Sequence, residues 1–311
     1  MKIVFLETAT LGDDVNIDKF TELGEVIRFD LTKTDEIAPR IGDADVVVIN
    51  KLPMNESTIG TCGNLKLICL TATGTNNIDF DYIDKKGIAV RNVRSYSTES
   101  VVQHTFSTFF YLYEKLNYYD NYVKSGDYAN APFFCHIEEK FHELFGKRWG
   151  IIGLGEIGHR VAQVAQAFGC EVVYYSTSGK NNDPVFKRVG LSELLATSDV
   201  ISIHAPLNDD TQGLINAETL KFCKPTAYLI NMGRGPIVDQ DALADALKNG
   251  KIAGAALDVL KNEPMEPGNP LLEIQDSKKL IITPHIAWAT VEARQRCVEA
   301  VFQNIKKFKE S

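Results

Sequence analysis

The chain has 311 residues, 44% of them hydrophobic and 24% charged, and a net charge of −8 at neutral pH. That length allows two domains with ample core, and the acidic balance argues against non-specific nucleic-acid binding, which requires a basic face. The six cysteines (Cys62, Cys69, Cys135, Cys170, Cys223, Cys297) show no C-x-x-C spacing, so free thiols in a reducing compartment are expected. The opening MKIVFLETAT has too short an apolar run for a signal peptide, and no segment reaches the ~18 apolar residues of a membrane span. The expectation is a cytoplasmic protein that engages neither nucleic acid nor membrane.

From Met1 to Asn92 the chain alternates strand-like and helical patterns. Ile3–Leu6, Val26–Phe29, Val46–Ile49 and Leu65–Leu70 are runs rich in branched residues, and helical spacing falls near 17–23, 34–41 and 57–62. A fifth strand, Ile88–Val90, follows the segment 78–86. Near-continuous apolar strands separated by helices predict a parallel sheet covered on both faces, with its ligand crevice at the carboxyl ends of the strands. Two such ends stand out. Asn50-Lys51-Leu52-Pro53 follows the third strand, where Lys51 reads either as a substrate contact or as a solvated lysine. Thr73-Gly74-Thr75 lies in a glycine-containing loop after the fourth, suited to offer backbone N–H groups to a carboxylate.

Ser97-Thr98-Glu99-Ser100 opens a predicted helix running to Lys124. Its aromatic content (Phe106, Phe109, Phe110, Tyr111, Tyr113, Tyr118, Tyr119, Tyr122) suggests a subunit interface, with burial between the two domains as the other reading. Cys135-His136 and His142 lack a fourth ligand, so no metal site is expected.

The next stretch, Trp149–Lys180, holds Gly153-Leu154-Gly155-Glu156-Ile157-Gly158 between the apolar run Gly150–Ile152 and a helix with Val161, Val164, Ala165 and Phe168 at helical spacing. Val172–Tyr175 then supplies a second strand. A G-x-G-x-x-G set between strand and helix is the dinucleotide fingerprint: its glycines allow a tight turn, close approach of a pyrophosphate, and close helix–strand packing. Further strands are expected at Val200–His204, Ala227–Asn231, Ile252–Leu257 and Lys279–Ile282. A helix capped by Asp239 and ended by Gly250 lies among them, and a closing helix spans 290–309 with Val298, Val301, Phe302, Ile305 and Phe308 on one stripe.

Four strand ends of this second block carry reactive groups: Asn231–Gly235, Leu257–Val259, Asn262–Pro264 and Thr283–Trp288. Arg234, between glycines, can offer a planar fork to an α-keto carboxylate. His285 can act as a general acid, since an imidazole titrates near the operating pH. A carboxylate such as Glu263 beside an imidazole favours its protonated form and fixes the ring. Together with a dinucleotide turn they compose a site for moving a proton and a hydride.

At these residues the chain resembles the D-isomer-specific 2-hydroxyacid dehydrogenases. The resemblance covers the whole length, from Thr73–Asp79 through Tyr96–Val101 to Thr283-Pro284-His285. It implies an α/β chain of two doubly wound domains, a Rossmann dinucleotide-binding domain (100–284) inserted into a flavodoxin-like substrate domain (1–99 and 285–311). It implies that His285 protonates the substrate oxygen, that Glu263 supports His285, and that Arg234 binds the carboxylate and keto group. Backbone at Gly74 and Thr75 would hold the carboxylate, with Thr73 and Lys51 as further substrate contacts, and Asp258 would meet the nicotinamide amide. The other expected cofactor contacts are Thr105, Gly153, Gly155, Glu156, Ile157, Gly158, Ser176, Thr177, Lys180, Pro206 and Met232. Within the family, His285-Ile286-Ala287-Trp288 is most similar to glycerate dehydrogenases that reduce hydroxypyruvate or glyoxylate. A homodimer handling a small 2-keto or 2-hydroxy acid is expected; a dehydrogenase for a bulkier 2-keto acid, or a nucleotide-sensing, corepressor-like scaffold, is the alternative.

One departure from the family pattern bears on the cofactor. The acidic residue that usually ends the second strand and binds the adenosine ribose is Ser176 here. A carboxylate would repel a 2′-phosphate, whereas Ser176, Thr177 and Ser178 can donate to one and Lys180 can approach it. The expectation is NAD or NADP, with NADP or dual use favoured; serines that simply hold an ordinary ribose are the other reading.

Overall fold

The computed structural model describes residues 1–310, which form two compact units: Met1–Ser97 with the chain from Trp288 on, and Thr98–Ala287. The divisions expected at 99/100 and 284/285 fall at 97/98 and 287/288. Thr98 already opens a helix of the second unit. Residues 285–287 stay with that unit because all three backbone N–H groups bond to Asp258.

In the first unit, β1 (Lys2–Phe5), β2 (Glu25–Arg28), β3 (Val46–Ile49), β4 (Leu67–Leu70) and β5 (Ala89–Arg91) form one parallel sheet in the order β2-β1-β3-β4-β5. This is the flavodoxin-like order, with its topological switch point between β1 and β3. Alternate side chains serve opposite faces. Ile3 and Phe5 pack with Val46, Val48, Leu67 and Cys69 on one; Val4 and Leu6 pack with Val47, Ile49, Ile68 and Leu70 on the other. Helices α1 (Ile37–Ile41), α2 (Glu56–Ile59) and α3 (Phe80–Lys86) cover the second face with Ile37, Ile41, Ile59 and Ile83. The chain's last helix, Val291–Glu310, covers the first with Val298, Val301, Phe302 and Ile305. The helix expected at 17–23 is a short 3-10 turn, Asp18–Glu22, held by Phe20 edge-on to Phe5 and Phe302.

In the second unit, β6 (Arg148–Ile152), β7 (Glu171–Tyr175), β8 (Lys187–Arg188), β9 (Val200–Ile203), β10 (Tyr228–Asn231), β11 (Gly254–Leu257) and β12 (Leu280–Ile282) form a parallel sheet in the order β12-β11-β10-β9-β6-β7-β8. Counted from β6, this is the Rossmann order with one strand added beyond the sixth, and its switch point lies between β6 and β9. The helix expected from Ser97 to Lys124 is two helices, α4 (Thr98–Tyr113) and α5 (Leu116–Lys124), parted at Lys115, whose φ of 58° is left-handed. Phe106, Phe109 and Tyr113 are buried within the unit's own core, against Trp149 and Tyr228. The later helices are α6 (Glu156–Ala167), α7 (Leu191–Thr197), α8 (Ala217–Leu220) and α9 (Gln240–Lys248). Among the described residues, no helix is long and apolar enough to cross a membrane.

Candidate active site

The chain leaves β6 through a turn that only glycine allows. Gly153 has a φ of +90°, and a Cβ there would come within 2.9 Å of Ala205, just past β9. Gly158 packs α6 onto that turn, since its Cβ would stand 2.2 Å from the Gly153 carbonyl. Gly155, the N-cap of the twelve-residue α6, differs: nothing lies within 4 Å of its Cβ position, and no side chain caps the helix. Exposed Gly155 and Glu156 and half-buried Ile157 thus surround a helix N-terminus whose dipole and first-turn N–H groups suit a pyrophosphate. The residues present fit a dinucleotide. Pro206 is exposed directly after Ala205, across the switch point, and Met232 follows β10 with 8% exposure.

Two further expected cofactor contacts, Thr105 and Asp258, are buried. Thr105 is fully buried inside α4 and its hydroxyl donates to the Val101 carbonyl at 2.7 Å. Asp258 is 2% exposed, and its carboxylate accepts from the Ile286 and Ala287 N–H groups, each at 2.8 Å, and from the Thr283 hydroxyl at 2.6 Å. A buried carboxylate must be paired or hydrogen-bonded; this one is satisfied by the segment that carries His285.

The loop after β7 folds back on itself. Ser176 is 5% exposed and its hydroxyl accepts from the Asn181 N–H at 3.3 Å. The Asn181 side-chain amide donates to the Leu154 carbonyl in the glycine turn, and the Asn181 backbone carbonyl accepts from the Tyr174 hydroxyl at 3.1 Å. Ser178, Gly179 and Lys180 project outward, with Thr177 half-buried.

The three acid–base and anion-binding residues stand at the carboxyl ends of neighbouring strands. Arg234 follows β10, Glu263 follows β11 and His285 follows β12, in the sheet order β12-β11-β10. Asn231, buried at the end of β10, shapes the arginine turn: its side chain accepts from the Gly233 N–H at 3.0 Å and donates to the Arg234 carbonyl at 3.1 Å. The backbone at Gly235 then runs so close to Leu260 that a Cβ would stand 1.9 Å from its carbonyl. Leu260 in turn donates its N–H to Glu263 Oε1 at 2.9 Å, and Glu263 Oε2 lies 2.7 Å from His285 Nδ1. His285 takes a φ of 57°, a left-handed conformation costing a non-glycine residue of order 1–3 kcal/mol. Its N–H bonds to the Asp258 and Thr283 carbonyls, each at 2.9 Å, and hold it there.

Two other histidines near these strand ends are poor proton carriers. His204, after β9, has both ring nitrogens buried without a partner among the described residues, and burial pushes its imidazole down to about 3. His104 Nε2 sits 2.9 Å from the Thr283 hydroxyl, and burial lowers its pKa against the opposing pull of Asp258. His136, weighed as a metal ligand, stacks on Tyr122 with ring centroids 3.7 Å apart. No cluster of three or more His, Cys, Asp or Glu that could hold a metal occurs among the described residues.

In the first unit, the loops after β3 and β4 carry the expected substrate contacts. Thr73 is exposed and its hydroxyl donates to the Val93 carbonyl at 2.8 Å, while the N–H groups of Gly74 and Thr75 make no hydrogen bond among the described residues. Lys51 is exposed on a loop organised by Glu7. The Glu7 carboxylate accepts from the Asn50, Lys51 and Leu52 N–H groups at 2.6, 3.0 and 3.3 Å, at the switch point between β1 and β3. Its only signal in sequence was its place directly after the first strand.

Known proteins share this organisation. The family model described as D-isomer specific 2-hydroxyacid dehydrogenase, NAD binding domain, matches residues 106–287. A hydroxypyruvate reductase of Blautia hydrogenotrophica is 38% identical over 315 residues, covering 99% of this chain and 97% of the relative. A glycerate dehydrogenase of Methylorubrum extorquens is also 38% identical, over 311 residues, covering 99% and 96%. Among solved structures, the D-lactate dehydrogenase of Aquifex aeolicus, complexed with NAD and lactic acid, is 30% identical with a TM-score of 0.85, covering 99% of this chain and 95% of that one.

Proposed function

Because the chain belongs to the D-isomer-specific 2-hydroxyacid dehydrogenases, we propose that it reduces hydroxypyruvate or glyoxylate to the corresponding 2-hydroxy acid, of D configuration where the product is chiral. The cofactor is NAD or NADP. The observation that carries the catalytic reading is the 2.7 Å pair between Glu263 and His285 Nδ1. A carboxylate only accepts, so Nδ1 is the donor and Nε2 is left to carry the proton that moves. When bound, the reduced nicotinamide supplies a hydride for the keto carbon, and His285 Nε2 delivers the proton to the keto oxygen. Glu263 fixes the ring and stabilises the imidazolium that precedes transfer. Arg234 binds the substrate carboxylate and keto oxygen through its guanidinium fork, and its Nη1 is already steadied by the Gly233 carbonyl at 2.8 Å. In the first unit, we assign the carboxylate to the backbone of Gly74 and Thr75, with Thr73 and Lys51 as flanking contacts. Initial rates with glyoxylate, hydroxypyruvate, pyruvate and phenylpyruvate test the substrate class; hydroxypyruvate and glyoxylate are expected to be the best, and a preference for phenylpyruvate would point to the bulkier class instead.

We take the chain to act as a homodimer in the cytoplasm. The dimer reading is supported by Phe133, Phe134, Ile137, Phe141 and Phe145, which are 59, 88, 74, 51 and 76% exposed within thirteen residues of the second unit. Such a run of apolar surface, beyond what scattered surface residues explain, marks an association site. Phe134→Asp combined with Phe145→Asp should convert a dimer to a monomer in sedimentation or light scattering. A wild-type monomer, or a variant that stays dimeric, would move the interface elsewhere or remove it.

A further inference from the structure

We propose that Arg188, on the two-residue edge strand β8, recognises the 2′-phosphate of NADP and makes this chain an NADP-preferring enzyme. The inference rests on the cofactor turn described above and deepens it. The buried Ser176, whose hydroxyl already accepts from Asn181, is poorly placed to discriminate alone. What stands outward at the end of β7 is a loop, residues 176–182, without a carboxylate and with Lys180 exposed. Asp183, just past the loop, is engaged: it accepts from the Val185 and Phe186 N–H groups at 2.8 and 3.0 Å and faces His159 at 3.3 Å.

Arg188 pairs with Tyr174 across the sheet, so its side chain rises beside this loop. Nη1 donates to the Gly179 carbonyl at 2.9 Å and to Asn182 Oδ1 at 3.2 Å. Those bonds hold the guanidinium at the loop, while Nε and Nη2 make no hydrogen bond among the described residues. A fixed, planar, always-charged group with donors to spare is the side chain that matches a phosphate dianion. In dinucleotide folds an arginine near the end of the second strand accommodates that phosphate. The ribose diol of NAD gains nothing comparable from the charge.

The test uses calorimetric binding of adenosine 2′,5′-bisphosphate and of 5′-AMP, alongside initial rates with NADPH and NADH, for wild type, Arg188→Ala and Arg188→Gln. Wild type should bind the bisphosphate at least tenfold more tightly than AMP. Both variants should lose roughly tenfold or more of bisphosphate affinity and of kcat/KM for NADPH, while AMP binding and NADH use stay within about threefold. Arg188→Gln keeps a donor for the Gly179 carbonyl but no charge, so a role confined to shaping the loop predicts that it behaves as wild type. Equal losses for both cofactors, or none, would overturn the proposal. Bisphosphate binding that depends on Arg188 in a protein that turns over no keto acid would sustain it and sink the catalytic reading instead. NADH-driven reduction without bisphosphate binding would do the reverse.

Discussion

Replacing His285 with alanine is expected to lower 2-keto-acid reduction by ~10²–10⁴-fold and to leave cofactor affinity near that of wild type. The size follows from the role, because without a positioned donor the alkoxide must take its proton from water. The selectivity follows from placement, since His285 sits after β12 and the glycine turn after β6, at opposite sides of β11, β10 and β9 in the sheet order. Burial disfavours the charged form of the two nearby histidines. His204 is held neutral with a pKa of about 3, and burial lowers the His104 pKa as well. The measurement is steady-state kcat in His285→Ala, with reduced-cofactor binding followed by nicotinamide fluorescence. Turnover within a few-fold of wild type would exclude His285 as the proton donor.

Arg234→Lys is expected to cost ~10²–10³-fold in kcat/KM, divided between a raised KM and a lowered kcat. Lysine keeps the charge but offers a compact point of donors where the guanidinium offers a planar pair. Each hydrogen bond to a charged partner is worth ~1.5–3 kcal/mol, so losing one to the carboxylate and weakening another to the developing oxyanion gives that range. The share borne by kcat reports the contact made only as charge develops on the oxygen. The turn itself should survive, because Asn231 holds it through the Gly233 N–H and the Arg234 carbonyl and not through the guanidinium. Wild-type kinetics in Arg234→Lys would mean that charge alone matters there. A change confined to KM would remove the arginine from transition-state stabilisation.

The features legible in sequence were those that local chemistry imposes. The G-x-G-x-x-G turn could be placed because a φ of +90° at Gly153 and the close packing at Gly158 leave few alternatives to glycine. Both sheets could be read because strands covered on two faces, such as Val46–Ile49, have no polar interruption. Arg234, Glu263 and His285 were marked by reactive types at strand ends. Partners distant in sequence were not legible. Nothing in the chain order shows that the Glu7 carboxylate caps the Asn50–Leu52 backbone, or that the Asp258 carboxylate is spent on Ile286 and Ala287. Arg188 lay on a strand of two residues, too short for any periodicity. The aromatic face of α4 was visible, but its destination was not. Whether Phe109 meets a second subunit or its own Trp149 depends on packing that a helical pattern does not encode.

The site is proposed to move a hydride and a proton onto a small 2-keto acid. The most direct measurement is consumption of NADPH and of NADH by the purified protein on addition of hydroxypyruvate or glyoxylate, with chiral analysis of the glycerate formed. The predicted result is oxidation of reduced cofactor matched by an equal amount of product, D-glycerate from hydroxypyruvate, and abolished in His285→Ala. A protein that binds reduced cofactor yet consumes none with these or any larger 2-keto acid would contradict the account and favour a nucleotide-sensing role.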